Sequence, residues 1–98
     1  MHLSEILKQA IEQDASDVFI VAGLPVSLRK HGVISQLDEE RLLPNDTEAL
    51  LTEIYAQAGN RDLEPLHRNG DDDFSFAIPG LSRFRVSAYK QRGALYLP

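Results

Sequence analysis

The stretch DDDFSFAIPGLSRFRVSAYKQRG, from Asp71 to Gly93, constrains the fold more than any other part of the chain. It reads as two strands meeting at Pro79-Gly80. Phe74, Phe76 and Ile78 alternate with polar or small residues on the first, and Phe84, Val86 and Ala88 do so on the second. The alternation also selects a register. A two-residue Pro-Gly loop would set Phe76 against Arg83 and mix apolar and charged side chains on one face. A three-residue loop, Pro79-Gly80-Leu81, sets Phe76 against Phe84 and Phe74 against Val86. That register gathers the apolar residues and leaves Ser75, Arg83, Arg85 and Ser87 on the other face, so we adopt it.

Three of the chain's seven arginines lie in this stretch: Arg83, Arg85 and Arg92. Their planar donor forks suit phosphate or carboxylate. The plainer reading is a solvated strand face whose arginines answer the acidic run Asp71-Asp72-Asp73. Spacing alone favours that reading, because exposed strands commonly carry charge.

A chain of 98 residues makes one domain, with a small core that buries roughly 60–65% of the unfolded surface. The net charge of −5 argues against nucleic acid as a partner. There is no cysteine, hence no disulfide and no thiolate metal site, which suits a reducing cytosol. No apolar run approaches the ~20 residues of a membrane-spanning helix. The start MHLSEILK has neither a basic region nor an apolar signal core, so no export signal is read there.

Taken in order, Leu3, Ile6, Leu7, Ala10 and Ile11 repeat at helical spacing and predict an amphipathic helix over 3–14. Val18–Val21 is uniformly apolar and reads as a central strand buried on both faces. After the turn Gly23-Leu24-Pro25, a second strand carries Val26 and Leu28 in alternation with Ser27 and Arg29. His31-Gly32 sits where a two-residue hairpin loop belongs, leading into a third strand, Val33–Leu37. Asn45 and Glu48 have the spacing of a capping box opening a helix whose buried side is Leu50, Leu51, Ile54, Tyr55 and Ala58, ended by Gly59. A shorter helical piece runs from Asn60 to Arg68. Beyond the hairpin, Ala94–Leu97 starts another strand and Pro98 follows at once, so the chain reads as a segment cut from a longer protein. The sum is an α+β domain, an antiparallel or mixed sheet with the helices packed mainly on one face.

Catalytic motifs are missing. None of the six glycines is followed by lysine, so there is no G-x-x-x-x-G-K-[ST] loop to cradle a nucleotide's phosphates. Nor is there a G-x-S-x-G elbow or a cysteine nucleophile. Asp71 and Asp73 share one strand face and Asp72 takes the other, so the three do not converge on a metal and read as a solvated loop-to-strand junction. His2, His31 and His67 are too far apart in sequence to suggest a metal site. The chain alone is not expected to be an enzyme.

Five fragments occur together: A-S-D before an apolar strand, G-x-P-x-x-x-R, D-F-S-F, R-F-R-V and Q-R-G. In this order and at these separations they resemble the N-terminal domain of the PilT family, the twitching-motility ATPases that retract type IV pili, relatives of the type II secretion ATPases. The resemblance covers essentially the whole chain. It implies a PAS-like domain that precedes a RecA-like ATPase domain within a homo-hexameric ring, working in the cytoplasm at the inner membrane with pilus or secretion machinery. In such motors the N-terminal domain closes over nucleotide bound to a C-terminal ATPase domain, of its own or a neighbouring subunit. The cofactors implied are ATP and Mg²⁺, in the parent protein rather than in this chain. The arginines matched to phosphate contact are Arg85 in R-F-R-V and Arg92 in Q-R-G, with Arg83 a weaker third. Ser87 and His31 depart from the family pattern, which bears on subfamily and leaves the fold reading intact. The competing reading is a free-standing PAS-like sensor of a small ligand, which would need an internal cavity.

Overall fold

The computed structural model describes all residues, Met1–Pro98. Its longest hairpin joins β4 (Asp71–Ile78) to β5 (Ser82–Tyr89) in the register the alternation selects. Phe76 faces Phe84, Phe74 faces Val86, and Pro79-Gly80-Leu81 forms the loop. The Phe76 and Phe84 rings stack with centroids 5.2 Å apart. A second hairpin joins β2 (Ser27–Lys30) to β3 (Val33–Gln36) through His31-Gly32. Both turn residues are left-handed, at φ 50° and 79°, as a two-residue loop that follows the sheet twist requires.

With β1 (Asp17–Val21) and β6 (Arg92–Tyr96) these strands form one six-stranded sheet, ordered β3-β2-β1-β6-β5-β4. Every neighbouring pair is antiparallel. The first and last strands of the chain therefore pair at the centre. Against one face lie α1 (Leu3–Glu12) and α2 (Pro44–Gln57), followed by the short α3 (Glu64–Asn69). Leu3, Ile6, Leu7 and Ala10 of α1 and Leu50, Leu51, Ile54 and Tyr55 of α2 share a single core with the inward residues of the strands. This is the α+β architecture expected, with helices on one side only.

Several local expectations need correction. β1 is central, yet it is buried on one face: Val18 and Ile20 are inaccessible, whereas Phe19 and Val21 are half-exposed where no helix covers the sheet. α2 opens earlier than a cap at Asn45 would allow. Pro44 takes the first helical position, where its missing N–H costs nothing, and the Leu43 N–H donates to the Asp46 carboxylate at 2.8 Å. The piece expected from Asn60 is helical only from Glu64, because Gly59 and Asn60 are both left-handed and end α2. The acidic run lies within β4 rather than at a solvated junction, and Asp72 turns inward. β6 begins at Arg92, two residues before the expected start, after a Lys90-Gln91 turn with Gln91 at φ 61°.

Gly93, on the helix-facing side of β6, lies directly beneath Leu51 of α2. A Cβ at that position would lie 2.9 Å from Leu51 Cδ2. The glycine of Q-R-G thus admits the helix.

Candidate functional site

The helix-free face of the sheet collects the residues singled out from sequence. Side chains alternate along each strand, so the registers place Arg83, Arg85, Ser87 and Tyr89 of β5 on this face. They join Arg92, Ala94 and Tyr96 of β6, Asp17, Phe19 and Val21 of β1, and Arg29 of β2. Arg85 pairs with Tyr96 across the β5–β6 ladder and Arg92 pairs with Tyr89. Ser87 and Ala94 occupy the row between. Four residues of β5 separate the two arginine rows, about 13 Å along the strand.

Each arginine lies against a ring on the other strand. The Arg92 guanidinium sits 4.7 Å from the Tyr89 ring centroid, and that of Arg85 sits 5.9 Å from Tyr96. The first is a firm cation–π contact; the second is at the outer limit of one. At exposed sites such contacts contribute only ~0.5–1 kcal/mol, so they orient the guanidinium without consuming its donors. None of Arg83, Arg85 and Arg92 takes part in an ion pair. Arg83, opposite Ala77 near the hairpin loop, is one row from Arg85 and lines the same open cleft, whereas Arg92 lies two rows beyond Arg85 in another. Arg29 is differently placed: it stacks on Phe19 at 5.4 Å, with Asp17 3.9 Å away.

The acidic run answers a different arginine. Asp72 Oδ2 accepts from the Tyr55 hydroxyl at 2.8 Å, and Arg61 donates to both carboxylate oxygens, at 3.0 and 2.9 Å. The Arg61 bond chiefly, with the Tyr55 bond, holds the Asp72 carboxyl below the usual carboxylate range. Burial, then the bond to Asp72, pushes the Tyr55 phenol well above its ordinary value. Tyr55 meets Phe74 edge-on at 4.7 Å and Arg61 covers the same ring at 4.6 Å. This clasp ties the end of α2 and the segment after it to β4, on the side away from the open face. Sequence reading missed it because Arg61 and Asp72 are joined only by the tertiary fold.

Sequence reasoning also missed Tyr89 and Tyr96 as partners of the arginines. The period-2 pattern would have shown them once Arg92 was taken as the start of β6. The larger hollows in the surface are all open clefts, none enclosed within the core. No helix is long and apolar enough to cross a membrane.

The sheet is thus covered by helices on one side and carries Arg85 and Arg92, free of ion pairs and set over tyrosines, on the other. No protein-family model matches the chain. It is 36% identical over 95 residues to the type IV pilus retraction ATPase PilT of Pseudomonas aeruginosa, covering 96% of this chain and 27% of that protein. With the type IV pilus ATPase PilU of the same organism it shares 30% identity over 92 residues, covering 94% of this chain and 23% of that protein. A crystal structure of the pilus retraction motor PilT with bound ADP matches with a TM-score of 0.82 at 38% identity, over 98% of this chain and 29% of that one. The Legionella pneumophila ATPase DotB shares the fold, with a TM-score of 0.77 at 20% identity over 99% of this chain and 29% of that one. The chain is homologous to the N-terminal region of the PilT and PilU type IV pilus ATPases. It spans about a quarter of the length of those relatives.

Proposed function

We propose that the chain is the N-terminal PAS-like domain of a hexameric ATPase motor for type IV pilus retraction or secretion. In this reading the open face of the sheet closes over nucleotide held by a C-terminal RecA-like domain of the same or a neighbouring subunit. Arg85 and Arg92 then carry forked donors to the phosphates, and Arg83 supplies peripheral positive charge. The nucleotide's Mg²⁺ and its phosphate-cradling loop belong to the other domain, because this chain has no such loop. The parent protein works in the cytoplasm at the inner membrane.

The observation that carries this reading is the pair Arg85 and Arg92 on one uncovered face, both free of ion pairs. Arg85 and Arg92 stand on ladder rows about 13 Å apart along the strands, from which two long side chains can reach a polyphosphate from either end. Homology to ATPases, one of them solved with bound ADP, supports nucleotide as the ligand. A sensor that encloses a small molecule is less well supported, since the clefts are open and the core is filled by Tyr55, Phe84, Leu95 and their neighbours.

The test is kinetic. In the full-length ring, Arg85→Ala and Arg92→Ala should each lower ATP turnover about tenfold or more, with melting temperature nearly unchanged. Lysine at either position should restore only part of the rate, because a point charge lacks the fork. Arg29→Ala, the internal control, should have a smaller effect, since Arg29 is already engaged by Phe19 and Asp17. Wild-type turnover in both Arg85 and Arg92 variants would reduce the open face to a structural surface.

A further inference from the structure

We propose that β3 pairs antiparallel with the β3 of a second copy of this chain, joining two sheets across a two-fold axis. β3 is the outer strand at one end of the sheet and is exposed along its whole length. Val33 is 66% and Ile34 57% exposed. Sheet edges are normally blunted by charge, proline or a bulge, and Val-Ile-Ser-Gln has none of these. The opposite edge, β4, is guarded: it begins with three aspartates, and α3 packs against it.

The edge has a definite phase. Val33 closes the two-residue turn opposite Lys30, and the Leu37 N–H donates to the Val26 carbonyl at 2.8 Å. Val33, Ser35 and Leu37 therefore turn their backbone groups towards the inside of the sheet. Ile34 and Gln36 turn theirs outward, where no strand follows. Ile34 lies opposite Arg29, so its side chain is on the helix-free face. Two identical edges that pair antiparallel are related by an axis perpendicular to the sheet, and residues directly opposite share a face. An axis at Ile34 sets the two isoleucines against each other; an axis at Ser35 would set each against Gln36. The first joins apolar to apolar and gives the two isoleucine backbones a mutual pair of hydrogen bonds.

Charge selects a second copy as the occupant. The turn that opens β3 carries Lys30 and His31, and just beyond its end stand Asp38, Glu39 and Glu40. Asp38 Oδ1 accepts from the Glu39 and Glu40 N–H groups, at 2.6 and 3.2 Å, which fixes this acidic bend. Antiparallel pairing sets the basic end of each strand beside the acidic end of the other, twice over. Parallel pairing of the same strands would set like beside like. The contact uses neither Arg85 nor Arg92, which stand on β5 and β6 beyond β2 and β1, and it leaves both open faces pointing the same way. Four-residue strands bury less than a standard interface, so the dissociation constant should be about 0.1–1 mM.

Sedimentation velocity of the chain from about 10 µM to 1 mM should show a concentration-dependent dimer that added salt weakens. Over the same range, amide exchange followed by NMR should slow at Ile34 and Gln36 and stay unchanged at Val33 and Ser35, which β2 already holds. Ile34→Lys and Ile34→Glu each set like charges together at the axis. Either should raise the dissociation constant about tenfold or more, with melting temperature nearly unchanged because the side chain is exposed. Mixed in equal amounts, the two variants should dimerise again. A wild-type chain still monomeric at 1 mM, or a dimer that leaves exchange at Ile34 and Gln36 unchanged, would overturn the proposal. So would a dimer indifferent to Ile34→Lys, failure of the two variants to pair when mixed, or growth into longer oligomers through β3 on β4.

Discussion

Replacing Asp72 with asparagine tests the tertiary clasp behind the open face. The side chain is 9% exposed and accepts three hydrogen bonds, one from Tyr55 and two from Arg61. The tyrosine bond to a charged, nearly buried acceptor contributes roughly 1.5–3 kcal/mol. The Arg61 fork counts for less, because that side chain is 37% exposed and solvent screens the pair to ~0–1 kcal/mol. Asparagine keeps one acceptor oxygen, so the expected loss at pH 7 is about 2 kcal/mol, or about 8–16 °C in Tm for a domain of this size. The contribution has a definite pH window. With its folded-state pKa below the unfolded one, Asp72 stabilises fully above about pH 4, and the effect disappears as pH falls through the folded value. Tyr55 acts oppositely: its raised pKa stabilises fully below about pH 10 and is lost as pH rises further. Urea unfolding of wild type and Asp72→Asn at pH 7 and near pH 2 measures this. A loss below about 0.5 kcal/mol at pH 7, or a loss that persists undiminished near pH 2, would refute the clasp as a charge-dependent element.

Three other outcomes are expected. Phe76→Ala or Phe84→Ala should cost roughly 3–5 kcal/mol in chemical denaturation, whereas exposed Arg83→Ala should cost under ~1 kcal/mol. Equal losses at Phe84 and Arg83 would contradict the face assignment. Gly93→Ala should destabilise by about 1–3 kcal/mol, because the new methyl meets Leu51, and Leu51→Ala in the same chain should make that substitution less costly. The isolated chain should hydrolyse no ATP above background and bind it no tighter than about millimolar, since exposed arginines compete poorly with water. A low-micromolar calorimetric constant would contradict this.

Much of this fold is legible wherever period-2 alternation and turn chemistry agree. Phe74, Phe76, Phe84 and Val86 select one hairpin register because the alternative exposes them, and His31-Gly32 marks the other hairpin through a left-handed glycine. Boundaries set by tertiary contacts are less legible. Pro44 outcompetes Asn45 as the helix start because its fixed φ suits the first turn, and Gln91 hides a hairpin turn by taking a conformation usually left to glycine or asparagine. The one-sided burial of β1 could not be read from Val18–Val21, because apolar content does not reveal which face a helix covers. At the site, Arg83, Arg85 and Arg92 stood out by residue type. Their tyrosine partners, and the Ser87–Asp73 bond between them, depend on strand neighbours far apart in sequence.

The central claim is that the open face turns towards nucleotide, and a structure of the full-length ring loaded with a non-hydrolysable nucleotide tests it most directly. The expected result is guanidinium nitrogens of Arg85 and Arg92 within about 3 Å of phosphate oxygens in at least one closed subunit. A ring in which this face of the sheet meets solvent in every nucleotide-bound subunit, with both arginines still over Tyr96 and Tyr89, would contradict it.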